Sequence, residues 1–94
     1  MTTAERDALA ARIAQHPADR YPAQHATSQF HLGSLLLRTG ETAPALTALT
    51  VARAVFERIG MRVEQAKSTV MLGVALRGAG RPVDAELALS TAVG

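Results

Sequence analysis

The sequence predicts an all-α fold of antiparallel helix pairs, and three observations carry that prediction. Leu32, Gly33, Leu36 and Gly40 return forty residues later as Leu72, Gly73, Leu76 and Gly80. Apolar and small residues recur at helical spacing on both sides of the glycines, as two helices joined by a tight turn require. The composition is 48% hydrophobic but only 3% aromatic, with no Trp, so helices must approach one another through Ala and Gly side chains. The 94 residues suffice for one domain and one modest core.

The register extends beyond the glycine segments. Ala45, Ala48, Leu49 and Ala52 match Ala85, Ala88, Leu89 and Ala92, while Ala8, Leu9 and Ala14 fall under Ala48, Leu49 and Ala54. The chain therefore divides into a half repeat over 1–20, a repeat over 21–60 and another over 61–94.

Each element follows from local signals. The first helix is expected to start at Thr2 or Thr3, where Thr2 and Glu5 fit a capping box, and to fade before Pro17. A second helix is predicted from about Pro22 to Arg38, stopped by Gly40 in the left-handed region. Thr42 is the expected cap of a third, with Pro44 tolerated in its first turn and Gly60 ending it. A fourth should span Val63 to Gly78, and a fifth should start at Pro82 with Asp84 and Glu86 near its positive end. Gly94 corresponds to Ala54, so this last helix is expected to be shorter than its counterpart.

The matched positions resemble the tetratricopeptide repeat, which places Leu-Gly in its first helix, a large residue three further on, then Ala, a large apolar residue and Ala in its second. Leu32, Gly33, Leu36, Ala45, Leu49 and Ala52 fill that pattern, and Leu72, Gly73, Leu76, Ala85, Leu89 and Ala92 fill it again. The usual large residue at the fourth position is replaced by Gln29 or Thr69, and the period of forty exceeds the commoner thirty-four. Such lengthened Ala- and Arg-rich repeats look like those of many-repeat bacterial regulatory and scaffold proteins.

The resemblance implies a concave face lined by the first helix of each pair. On matched positions the partner groove would present Thr27, Phe30, Ser34 and Leu37 from one unit and Lys67, Val70, Val74 and Arg77 from the next. Family members that grip acidic C-terminal tails use lysine and asparagine where Phe30, Ser34, Val70 and Val74 stand, so that clamp is missing. The expected ligand is an amphipathic or apolar peptide, with Arg77 or Lys67 orienting an acidic group. Another helix of the assembly covering Phe30, Val70 and Val74 is the alternative. No polar capping helix is legible, so Ala88, Leu89, Ala92 and Val93 are expected at or near a self-association contact.

Other function classes lack their residues. With no cysteine there are no disulfides, thiolate metal sites or thiol nucleophiles. His16, His25 and His31 are not spaced one helical turn apart, as a helical metal site would want, so neither metal nor cofactor is expected. Ser28 and Ser34 flank His31 without a strained nucleophile turn or an evident orienting acid. The carboxylates Glu5 and Asp7, and Asp84 and Glu86, sit where helix dipoles favour them. Gly78-Ala79-Gly80 lacks the Gly-Lys-Ser/Thr of a phosphate loop. A pI near 9.9 arises from a formal charge of only +2, with basic residues spread singly, so nucleic acid is not the expected partner.

The polar opening residues cannot form the apolar core of a signal peptide, and no apolar run is long enough to span a bilayer. The expectation is a cytoplasmic module that binds a protein or peptide, with no small-molecule substrate and no catalysis. A homo-oligomerisation unit, such as a dimer, is the alternative. Membership of a transcription-regulatory or nucleic-acid-binding complex is the third reading.

Overall fold

The computed structural model describes residues 3–78, which form four helices: α1 Thr3–Gln15, α2 Pro22–Arg38, α3 Thr42–Arg58 and α4 Arg62–Gly78. The predicted all-α fold of packed helix pairs is what the chain adopts. The Thr2 cap and the fifth helix from Pro82 lie outside the described residues.

The last three helices start at residues 22, 42 and 62 and end at 38, 58 and 78, so the fold has a pitch of twenty residues within the forty-residue repeat. Two identical turns set that pitch. Gly40 and Gly60 have φ of 79° and 77°, a region that costs a residue with a Cβ about 1–2 kcal/mol. After α2, the Glu41 amide donates to the Leu36 carbonyl and the Gly40 amide to that of Leu37. After α3, Met61 and Gly60 donate in the same way to Phe56 and Glu57. Both are complete Schellman motifs, which satisfy the last carbonyls and reverse the chain within three residues.

The start of α3 differs from the sequence expectation. Thr42 does not cap α3 but is its first residue, while Glu41 holds the N-cap position without a side-chain cap bond. Glu41 is committed elsewhere, since its carboxylate accepts from Arg6 at 2.9 and 3.0 Å and from the Thr39 hydroxyl at 3.0 Å.

The helices form two layers. Arg6, at the start of α1, pairs with Glu41 just before α3, while Arg58 at the end of α3 donates to the Ala18 carbonyl just beyond α1. Thus α1 and α3 run parallel in one layer, and α2 and α4 form the other. The Cα envelope is 15 Å thick, close to two helix radii of about 2.3 Å plus an interaxial distance of about 10 Å.

The core lies where α3 rests on α2 and α4. Leu49 is wholly buried and clusters with Leu72 and Ala75, with Phe30 and Leu37 of α2 packed against them. Ala26, Ala52, Val55 and Phe56 make a second cluster, which Phe30 also touches. A Cβ on Gly33 would lie 2.5 Å from Leu49 Cγ and 3.4 Å from the Ala45 carbonyl oxygen, so glycine is what lets α3 reach α2. Gly73, which follows Gly33 by forty residues, is buried too. Arg53 adds a polar tie by donating to the Thr69 hydroxyl at 3.0 Å.

Candidate functional site

Register places Phe30 and Val70 at equivalent positions of α2 and α4. The two helices lie side by side in one layer, and the shallow trough between them is the candidate site. Phe30 forms its floor. Around it Val63, Ala66, Lys67, Val70 and Met71 of α4 line a hollow of about 490 Å³ whose wall is almost wholly apolar. A smaller hollow of about 160 Å³ adjoins it, bordered by Thr27, Phe30 and His31 of α2, Phe56 of α3, and Glu64 and Lys67 of α4.

The α4 wall is open. Val63 is 63% exposed, Val70 40% and Val74 51%, so this side of α4 is a strip of β-branched side chains in water. Lys67 projects beside it and forms no ion pair among the described residues. Glu64 provides a carboxylate near the Lys67 end, while its backbone carbonyl accepts from Ser68. The surface can bury a bulky apolar side chain against Phe30 and Met71 and offer an ammonium to a neighbouring acid.

The predicted groove residues fall into three groups. Thr27, Phe30, Lys67 and Val70 come together in the two hollows. Val74 and Arg77 continue the exposed side of α4 beyond those linings. Ser34 and Leu37 are elsewhere: Ser34 donates to the Phe30 carbonyl and lines a depression facing α1, and half-buried Leu37 packs on the Leu49 cluster. Ala88, Leu89, Ala92 and Val93, expected at a self-association contact, lie outside the described residues.

Sequence reasoning missed Val63, Ala66 and Met71. Their signal was present, because 63, 66, 67, 70, 71 and 74 follow helical spacing and form one continuous stripe.

Two of the three histidines hold backbone. His16 and His25 donate through Nδ1 to the carbonyls of Arg12 and His16 at 3.0 and 2.9 Å, since a carbonyl can only accept. They secure the connection between α1 and α2, where the His16 ring also meets Tyr21 edge-on at 5.4 Å. Among the described residues no group of three or more His, Cys, Asp or Glu could hold a metal ion, and no helix is long and apolar enough to cross a membrane.

No protein-family model, curated protein or solved structure matches the chain. The class of molecule is therefore set by the fold itself: an all-α stack of short antiparallel helix pairs with an open trough between its like-numbered helices.

Proposed function

We propose that this chain is a tetratricopeptide-like adaptor, working in the cytoplasm by binding a segment of another protein in the α2–α4 trough, and not by catalysis. The observation that carries the reading is the exposed stripe of Val63, Val70 and Val74 beside the hollow floored by Phe30. Apolar surface of this kind, arranged around a concavity, is what a partner's side chains fill. The repeated glycine positions and the two layers support the family resemblance. Lys67 favours a partner with an acidic residue next to its apolar anchor.

Selection from a displayed library of random twelve-residue peptides tests this reading. Enriched binders should share a bulky apolar residue next to Asp or Glu, and Val70→Glu should abolish their binding. Lys67→Glu should weaken the acidic ones selectively. Failure to enrich, or binders indifferent to Val70→Glu, would exclude the trough. Light scattering separates the oligomer alternative: a dimer dissociated by Val70→Glu would mean that a second copy covers the hollow.

A further inference from the structure

We infer that the groove between α1 and α2 is a second docking surface, made for a helix of another protein with an acidic residue, a bulky apolar residue four positions later and Gly or Ala three beyond that. The inference rests on the repeat register and is independent of the trough between α2 and α4.

The argument starts from a groove whose occupant is visible. Helix α2 lies against α3 and α4, with Ala26 beside Ala52, Phe30 touching both core clusters, and Gly33 over Leu49. Moving forty residues toward the N-terminus converts α3 into α1 and α4 into α2, so the α1–α2 groove is the same surface repeated. Leu49 becomes Leu9, Ala52 becomes Arg12 and Ala75 becomes Leu35.

Among the described residues, the repeated groove is open. Two hollows of about 310 and 490 Å³ run along it and share Arg12. Helix α1 contains no buried residue from Ala4 to Gln15, although Leu9 and Ile13 are half-covered.

The centre stays apolar, with Leu9 in the place of Leu49 and the larger Leu35 in that of Ala75, while the rim has changed character. Arg12 stands for Ala52, His31 for Met71 and Arg38 for Gly78, while Glu5, in the place of Ala45, adds a carboxylate at the far end of the smaller hollow. The Arg12 and Arg38 guanidinium groups form no ion pair among the described residues. Where Ala26 meets Ala52 in the filled groove, an acid would meet Arg12 here, and the spacing from Ala26 to Phe30 to Gly33 then dictates the rest of the motif. A second copy is poorly suited, because Leu72 and Gly73 of α4, and Gly33 of α2, are already buried within their own chain.

The probe is a fluorescein-labelled peptide of residues 22–38 carrying Ala26→Glu, titrated with the full chain and followed by anisotropy. Saturable binding is expected, weakened about fivefold or more by Arg12→Glu, a change at an exposed position. A peptide carrying Ala26→Lys should restore binding to that variant. As a second measurement, residues 22–41 with Ala26→Glu are fused ahead of the chain in register, where tethering supplies an effective concentration in the millimolar range. The fusion should melt about 4 °C or more above the parent, with a smaller gain in the Arg12→Glu background. Binding indifferent to Arg12→Glu would overturn the inference, because the peptide would then be replacing α2 in its own seat. No saturation together with no gain in Tm would overturn it equally. So would a dimer of the peptide-free protein that Arg12→Glu dissolves, which would give the groove to a second copy.

Discussion

Glycine has two different duties in this chain, and the structure separates them. At Gly33 the constraint is space, because a Cβ would enter Leu49. Gly33→Ala should therefore destabilise by about 1–3 kcal/mol, as overpacking does, despite the better helix propensity of alanine. At Gly40 and Gly60 nothing lies within 4 Å of an added Cβ, yet φ is positive. Alanine at either should cost about 1–2 kcal/mol through backbone strain alone. Gly78 has neither constraint: a Cβ there meets nothing, and no positive φ opposes it. Gly78→Ala should be neutral or stabilising by up to about 1 kcal/mol. Urea unfolding of the four variants checks the ranking, and a Gly33→Ala protein as stable as the parent would refute the close contact with Leu49. Leu49→Ala, at a fully buried site, should cost about 2–5 kcal/mol in the same assay.

Among the elements, α1 differs from the rest. Among the described residues it packs on α2 alone, whereas α3 is held on both sides by α2 and α4. Its other ties include the exposed Arg6–Glu41 pair and the hydrogen bonds around His16, Ala18 and His25. Hydrogen exchange should find α1 amides opening well before those of α3, since local stability follows buried contact. Arg6→Ala should cost less than about 1 kcal/mol, the usual worth of an exposed ion pair, as read by thermal melting. Helix ends were largely legible in the sequence because Pro22, Gly40 and Gly60 act through their own backbones. Thr42 was misassigned because the cap position falls to Glu41, whose carboxylate is drawn away by Arg6 from thirty-five residues earlier. A local reading of capping cannot include so distant a partner.

For the whole molecule, the register of forty made the packed helix pairs legible in the sequence, while the expectation of a groove lined by α2 and α4 came from the family resemblance. Of the residues expected there, Phe30, Lys67 and Val70 line one hollow, and Thr27, Phe30 and Lys67 line the adjoining one. Ser34 and Leu37 were misplaced because they share a helix with Phe30 while facing other neighbours, α1 and α3 respectively. Position along a repeat says which helix a residue is on, while its rotation about the axis is set by packing. The same limit hid Met71, which supports the core cluster and lines the hollow at once. Salt distinguishes the remaining partner class: if nucleic acid were bound, affinity would fall steeply as ionic strength rises. The apolar stripe instead predicts affinity for selected peptides that is retained as salt rises, measurable by titration at two salt concentrations.

The pitch set by the Gly40 and Gly60 turns also bears on how such a gene can change length. A duplication or loss of twenty codons would keep every turn in place and still fail, because it would put an α2-type surface, built around Gly33, where an α3-type surface built around Leu49 is required. A step of forty preserves both the turns and the identity of each face.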